Sequence, residues 1–295
     1  MSDRHYVGSV YQGRRDELGN QVINHTNMAD LSLRYQMTRR VELSIGIPYF
    51  ISTRSQTLNT TPTLTRYQTA ARGIGDTMVA TRRWMFDPDT HTGGNFQLGA
   101  GVQIPTGADN AQDTFQTLVG TTITPAIRNV DQSIQPGEGG WGFLGDAMGF
   151  MSVKKVSLYV NAAYLLTPQE DNGVLNGAGT GTGATRYMSV YDQFFLRGGA
   201  GFPIRGIVSG GAAIRVEGVP AHDLVGGQFG FRRPGVAVSI EPSINIGRGT
   251  NSLTIAVPIA TYRNRFQSAA DELTGGHGDA AFAKWLLMTS ISHKF

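Results

Sequence analysis

The stretch Asn95-Phe96-Gln97-Leu98-Gly99-Ala100-Gly101-Val102-Gln103-Ile104 decides the fold. Phe96, Leu98, Ala100, Val102 and Ile104 fall on one parity, and Asn95, Gln97, Gly99, Gly101 and Gln103 on the other. Successive side chains of a strand point to opposite faces, so this stretch has one apolar and one polar face. A helix would need apolar spacings of three and four, which are not there.

The same split recurs outward in both directions. Towards the N-terminus, Leu31, Leu33, Tyr35 and Met37 alternate with Ser32, Arg34 and Gln36, and Val41, Leu43, Ile45, Ile47 and Tyr49 alternate with Glu42, Ser44 and Gly46. Towards the C-terminus, Val156, Leu158, Val160, Ala162 and Tyr164 alternate with Ser157, Tyr159 and Asn161, and Val236, Val238 and Ile240 alternate with Ala237, Ser239 and Glu241. The pattern predicts strands at 3–12, 24–38, 40–51, 75–86, 94–104, 141–151, 155–165, 187–201, 206–217, 229–246, 251–262 and 280–295. The strand at 75–86 is the least regular, because Arg82 and Arg83 fall on opposite faces.

The connections between these strands alternate in length. Short ones lie near 38–40, 87–93, 152–154, 202–205 and 247–250, and long ones near 13–23, 52–74, 105–140, 166–186, 218–228 and 263–279. A transmembrane barrel has short periplasmic turns and long extracellular loops, and an even strand number puts both termini on the short-turn side. A soluble sandwich has no reason to keep that rule. The expected fold is therefore all-β: one transmembrane antiparallel up-and-down β-barrel of about twelve strands, filling residues 1–295 as a single domain.

Composition fits this reading. Hydrophobic residues make up 40% of the 295 residues and charged ones 16%, with 39 Gly and 10 Tyr. The mean hydropathy is -0.17. No stretch approaches the ~20 continuous apolar residues of a membrane helix. A barrel strand, in contrast, shows lipid only every second residue, so its lumen side chains dilute average hydropathy. The absence of cysteine excludes disulfides, thiolate metal sites and cysteine nucleophiles. Lys and Arg number 25 against 22 Asp and Glu and are scattered, so no nucleic-acid partner is expected. Met1 is followed by Ser2, Asp3, Arg4 and His5 with no apolar run. Under the barrel reading this is a mature sequence with an initiator Met, located in a bacterial outer membrane, its signal peptide absent.

The last residues, Trp285 to Phe295, end in Phe with Ile291, Leu287 and Trp285 in phase. That pattern resembles the signal by which outer-membrane barrels are recognised for assembly; His293 departs from it. Three further segments, 38–49 (Thr-Arg-Arg-Val-Glu-Leu-Ser-Ile-Gly-Ile-Pro-Tyr), Gly73-Ile74-Gly75-Asp76 and Val102-Gln103-Ile104-Pro105-Thr106-Gly107, carry a wider likeness. The chain resembles the family of outer-membrane proteins linked to the phenol meta-cleavage pathway. The resemblance implies an outer-membrane barrel that moves small, often aromatic or hydrophobic, compounds, and supplies no catalytic residues.

In a channel, the functional surface is the lumen. By phase it includes Arg34, Glu42, Gln97, Gln103, Arg215, Glu217, Glu241 and Lys284, which can hydrogen-bond a solute or simply pair with one another. Their mixed signs argue against strong ion selectivity. Twelve strands lie between a filled eight-stranded barrel and an open porin, so a narrow channel is expected, narrowed further by the 105–140 loop.

Gly75-Asp76, Gly145-Asp146 and Gly278-Asp279 fall where long loops turn back into the barrel. They suit backbone capping better than a cation-binding ring. The six histidines show no metal spacing. No cofactor is implied. Ser290, Ser292 and His293 share the last strand, but no nucleophile motif accompanies them, so an enzyme is not expected. Arg14, Arg15, Arg232 and Arg233 could meet lipopolysaccharide phosphates, and Trp141, Tyr164 and Trp285 could sit in interfacial girdles. Expected partners are outer-membrane lipid and lipopolysaccharide, the barrel assembly machinery and a small-molecule solute. The expected function is passive uptake of small molecules, against a structural or interaction barrel with a plugged lumen and, further off, a membrane-embedded lipid hydrolase. Pro48 and Pro258 mark places where the ladder could open sideways.

Overall fold

A computed structural model describes residues 4–7, 10–11, 22–60, 63–119, 122–176, 186–275 and 282–295. In chain order, its strands begin with β1 (Arg4–Val7), β2 (Val10–Tyr11), β3 (Ile23–Gln36), β4 (Val41–Thr60), β5 (Thr63–Ile74), β6 (Thr77–Trp84) and β7 (Gly94–Ile104). A hairpin of β8 (Gln112–Val119) and β9 (Thr122–Asn129) follows, then a 3-10 turn at Gln132–Ile134. Next come β10 (Gly142–Val153), β11 (Val156–Leu166), β12 (Asp171–Leu175), β13 (Tyr187–Ser189), β14 (Gln193–Arg205) and β15 (Val208–Val219). The chain ends with β16 (Gly235–Arg248), β17 (Asn251–Ala256), β18 (Ile259–Arg265), the helix α1 (Ala269–Thr274) and β19 (Met288–His293).

The protein is all-β and antiparallel, with a curled half-barrel sheet of eleven strands. The wall runs β3-β4-β6-β7-β10-β11-β14-β15-β16. The next stave is split: β17 and β18 both pair with β16, and β19 pairs with β17. On the first side, β5 and β6 are successive halves of one stave, because β4 pairs with β6 up to Gly46 and with β5 from Tyr49 onward. Consecutive strands are neighbours throughout, joined by tight turns such as those after β10, β14 and β16.

Directly opposed residues share a face, so the registers show which way each row points. One row reads Phe96–Gly149–Val160–Gly198–Ile214–Ile240–Ile259 across seven staves. Its large members are exposed: Phe96 43%, Val160 48% and Ile214 60%. The adjacent row, Gln97–Met148–Asn161–Arg197–Arg215–Ser239, lies on the opposite face, where Gln97 is only 3% exposed. The sheet is thus inside out relative to a soluble protein. Its apolar side chains face outward and its polar ones line the concave side.

The structure differs from the sequence reading in several places, one of them the strand expected at 187–201, whose first part, β13, pairs with β12 outside the wall. The expected loop at 52–74 is largely strand, since β4 and β5 form a hairpin with paired backbones from Tyr49↔Ile74 to Thr60↔Thr63. The 105–140 loop holds the β8–β9 hairpin. The strand expected at 251–262 breaks at Val257-Pro258, where proline cannot donate to the ladder. The strand expected at 280–295 is ordered as β19 only from Met288, with an isolated bridge Trp285↔Ile259 before it. The N-terminal strand expected at 3–12 does not stand between β19 and β3. Its described part, β1, runs parallel to β18 in the column above Lys284, whose carbonyl accepts from the Ala260 amide at 2.9 Å.

Candidate functional site: a loop cap over an ion-paired trough

The trough is the concave face of the sheet, and its charges are paired across strands. Arg82 of β6 meets Asp146 of β10 through Nη2 at 2.9 Å and through Nε at 3.0 and 3.2 Å. Its Nη1 donates to Ser44 Oγ at 2.9 Å and lies 3.8 Å from Glu42. Between Arg82 and Asp146, Gly99 makes room: a Cβ there would lie 2.4 Å from Asp146 Oδ1. On the far side of the trough, Glu241 of β16 lies between Arg197 of β14, with which it forms an ion pair, and Arg215 Nη1 at 3.9 Å. Arg215 also pairs with Glu217 through Nε at 2.9 Å and stacks over the Phe195 ring at 4.8 Å. Arg197 lies over the Tyr159 ring at 5.1 Å.

Above this trough the long connections pack against one another. The carboxylate of Asp131 is central. It caps the 3-10 turn by accepting from Ser133 N at 3.0 Å and Ser133 Oγ at 2.7 Å. Arg233, at the entry to β16, donates to both its oxygens at 2.9 and 2.6 Å, and Arg54 of β4 approaches to 3.6 Å. β4 and β16 stand near opposite ends of the strand order. The loop carrying Asp131 therefore spans the mouth of the trough and ties its two sides together. Burial pushes the Asp131 carboxyl up, but the guanidiniums of Arg233 and Arg54 outweigh it and hold it well below the usual carboxylate range. Nearby, Gln132 donates to the Ser189 carbonyl at 2.8 Å and Asn24 of β3 to Ser133 at 2.9 Å.

The roots of the same loop are clamped by Asp76. Its Oδ1 accepts from Gly107 N at 2.9 Å and its Oδ2 from Glu138 N at 2.8 Å, so one carboxylate holds both ends of the 107–138 segment. There the backbones of Gly107 and Gly137 touch, and a Cβ on either would lie within 2.7 Å of the other. Thr106 Oγ1 donates to the Gly75 carbonyl at 3.1 Å, and Gly75 N donates to the Pro48 carbonyl at 2.8 Å. The segments 38–49, 73–76 and 102–107 thus converge at one node, the root of the cap.

Asp192 knits two further connections. It accepts from Thr167 N at 2.7 Å, Tyr164 Oη at 2.7 Å and Leu224 N at 2.9 Å. Its own amide donates to Asp223 at 3.0 Å, and Asp223 pairs with Arg232 at 2.6 Å in full burial.

A cavity of about 200 Å³ lies beneath the cap, walled by Phe50, Pro136, Glu138, Asn172, Met188 and Tyr191. Gln193 donates to Glu138 Oε1, while Oε2 is shut off from solvent and accepts no hydrogen bond of ordinary geometry. Burial first, and then the charge of Asp76, push the Glu138 carboxyl up to about 7, partly offset by the Gln103 and Gln193 amides. Burial also raises Asp76, against the backbone amides it accepts.

The structure distributes the sequence candidates unevenly. Glu42, Arg215, Glu217 and Glu241 join the ion pairs of the trough. Gln97 is buried in the concave row, and Gln103, 8% exposed, lies at the cap root with Nε2 3.4 Å from Asp76. Arg34 is on the exposed edge strand β3, in register with Ser44, and Lys284 is exposed on the segment before β19. Leu287, Ile291 and Phe295 are exposed at 65, 82 and 103%.

Asp76 caps loop amides, but Gly145-Asp146 does not mark a loop return, because Asp146 sits inside β10 against Arg82. Gly278-Asp279, Arg14 and Arg15 lie outside the described residues. Arg232 and Arg233 are committed to Asp223 and Asp131 inside the cap and do not present themselves to lipopolysaccharide. Trp141 and Trp285 are exposed at 51 and 62%, whereas Tyr164 spends its hydroxyl on Asp192.

His293 Nδ1 lies 2.8 Å from Asn251 Oδ1, and Ser292 pairs with Ser252. Among the described residues, no group of three His, Asp or Glu side chains is placed to hold a metal. Arg82, Asp146 and Arg197 were legible in principle from strand parity. Asp131, Arg233, Asp192 and Glu138 were not, because irregular loops carry no period.

The chain matches no known family model and no curated protein sequence.

Proposed function

We propose that the protein is a narrow, loop-gated channel of a bacterial outer membrane that passes small solutes without chemical change. The observation that carries this reading is the inverted polarity of the wall. An outward row of exposed Phe, Val and Ile suits lipid, and an inward row of paired charges suits a water-filled path. The helices give no competing reading, since none of the described ones is long and apolar enough to cross a membrane.

Strand direction supports closure of the wall. In an antiparallel sheet of eleven staves the first and last, β3 and β19, run the same way, so an antiparallel seam needs one more stave between them. β1 runs parallel to β18 and hence antiparallel to both free edges. It has the direction that a twelfth stave between β19 and β3 would need, while in this structure it pairs with β18. Exposed edges of this length invite pairing with other chains, and a membrane wall cannot leave them unsatisfied. The exposed phase of Leu287, Ile291 and Phe295 supports recognition by the barrel assembly machinery.

The cap is the gate. Solute enters among the long loops, passes the Asp131 tie, and descends past Arg82, Arg197 and Arg215. A second route, sideways release of an apolar solute, has one specific observation in its favour. Glu241-Pro242 of β16 and Val257-Pro258 fall between the paired registers Ile240↔Ile259 and Ser243↔Ala256. Pro258 leaves that ladder one donor short beside the inner ion pairs, while Val257 N still donates to the Pro242 carbonyl at 3.0 Å.

The test is single-channel conductance of the refolded protein in a planar bilayer. Small unitary steps are expected, with larger steps for Asp131→Ala, which releases the tie across the mouth. Stable insertion without conductance in both forms would replace the channel with a structural barrel whose lumen is closed.

A further inference from the structure

The short connections of the wall carry a charge pattern that passage of a solute leaves unused. Arg39 and Arg40 stand between β3 and β4, Lys154 and Lys155 between β10 and β11, Arg205 ends β14 and Arg248 ends β16. The acids of the short connections are Asp87 and Asp89, between β6 and β7, and Asp89 is already engaged by Arg39 at 3.4 Å. Lys154, Lys155, Arg205 and Arg248 have no carboxylate partner among the described residues. Each of these four cations lies where an apolar row ends. Exposed Val153 and Val156 flank the two lysines, exposed Ile204 and Ile207 flank Arg205, and Arg248 follows Ile244 and Ile246 at the same strand parity.

Lys154 supplies a second, independent observation. Its φ is 57°, in the left-handed region, and it is the one non-glycine residue with positive φ among the described residues. Gly206 and Gly249 fill the corresponding first position of the turns after β14 and β16, with φ of 58° and 62°. Glycine adopts this conformation freely, whereas a lysine there is strained. A strained lysine in a position that glycine fills in the sister turns points to a use for its charge.

Cations at the border of an exposed apolar surface fit a partner that is apolar and anionic side by side, which is an anionic lipid at its headgroup boundary. Long cationic side chains suit that boundary, since their stems cover apolar surface while the charge stays wet. A water-borne anion would have no use for the exposed valines and isoleucines. We propose that the short-turn end of the wall is a docking collar for anionic phospholipid head groups, with Lys154, Lys155, Arg205 and Arg248 as its cations. This rests on the reading of the wall as membrane-spanning, and names the lipid class that the leaflet at the short-turn end supplies.

The experiment uses the protein refolded into phosphatidylcholine vesicles, with a trace of spin-labelled phosphatidylglycerol or spin-labelled phosphatidylcholine added. The motionally restricted fraction of each label, read by electron spin resonance, reports its association with the wall. Phosphatidylglycerol should be favoured about twofold or more at low salt, and the preference should shrink at about 1 M salt, where screening shortens to about 3 Å. A variant carrying Lys154→Gly, Lys155→Gln, Arg205→Gln and Arg248→Gln should associate with the two labels equally. Lys154→Gly alone should weaken the preference without lowering the denaturant midpoint of unfolding, because glycine relieves the turn. A midpoint that falls would mean that the fold, and not the lipid, holds the lysine there, and would overturn the collar. Equal association with the unmodified chain would assign the cations to a water-borne anion and overturn it too, as would a preference that survives the fourfold variant. Each of these results leaves the wall in its membrane, whereas absence of any restricted label would overturn the membrane reading and the collar with it.

Discussion

In the wall, Arg82 has two carboxylates within reach, Asp146 and Glu42, and Glu241 has two guanidiniums, Arg197 and Arg215. In the cap, Arg54 and Arg233 converge on the single carboxylate of Asp131. The wall is redundant in a second way: every stave is held by a backbone ladder that no side chain supplies. The cap has few ladders of its own and depends on Asp76, Asp131 and Asp192, each serving two or more groups from different connections. The difference teaches where each kind of change will act. The wall is sensitive to polarity on its outer face and tolerant of single losses inside. The cap is sensitive to single carboxylates.

The largest effect expected is at the tie. Asp131→Ala strands Arg233 in a half-buried site, and breaking a buried pair by removing one partner costs about 3–5 kcal/mol. That loss should appear as faster amide exchange throughout 105–140, with the wall strands unchanged. If the wall strands exchange faster too, cap and wall form one cooperative unit and the contrast fails.

Next comes a charge on the outer face. Val160 lies in the exposed row of β11, and Val160→Arg should cost about 2–4 kcal/mol of folding stability in lipid vesicles if it sits near the midplane. Its neighbour Asn161 belongs to the concave row, and Asn161→Arg should cost far less. Equal costs would remove the distinction between the two faces.

A single loss inside the wall should be smaller. Asp146→Asn leaves Arg82 with Glu42 and Ser44, and because both partners of the pair are partly solvated the cost is about 1 kcal/mol. A loss as large as that at Asp131 would show that the trough has no redundancy.

The smallest effect is the response of the cap to pH. The folded state raises Glu138 from 4.5 to about 7, so it binds that proton more tightly than the unfolded chain does. The resulting stabilisation is full below about 4.5 and is lost as pH rises through 7. Asp131 is depressed instead, so its contribution is present above the ordinary aspartate range and is lost only in strong acid. Between pH 5.5 and 8 only the first acts. Exchange in 105–140, corrected for its intrinsic pH dependence, should quicken a few-fold over that interval, and Glu138→Gln should flatten the response.

The same contrast explains what could be read in the sequence. The wall was legible because strand parity writes itself into composition: Phe96, Leu98 and Val102 against Gln97, Gly99 and Gln103 is a statement about two faces. Parity failed where a second constraint entered. Pro258 interrupts its strand although Ile255 and Ile259 keep phase around it, and Thr57–Thr60 pairs with Thr63–Arg66 in a Thr-rich stretch whose sequence has no apolar alternation to announce it. Arg82 and Arg83 looked inconsistent and are not. Arg82 turns inward to Asp146, while Arg83, in register with Val41 and Leu98, shares the outer row near the turn to β7. The cap was illegible because its contacts join residues such as Asp131 and Arg233 that are 102 positions apart, with no period linking them. Only Gln103 among the lumen candidates lies at the cap root, and strand phase placed it on the concave face without naming the Asp76 it meets there.

The central claim is that the apolar rows face lipid and the polar rows face a water-filled interior, and the absence of cysteine allows it to be tested directly. Single cysteines would be placed one at a time from Ser157 to Ala163 along β11, the proteins refolded into lipid vesicles, and each exposed to a charged, membrane-impermeant thiol reagent. Labelling should alternate, fast at Ser157, Tyr159, Asn161 and Ala163 and slow at Leu158, Val160 and Ala162. Uniform labelling, or the opposite alternation, would contradict it.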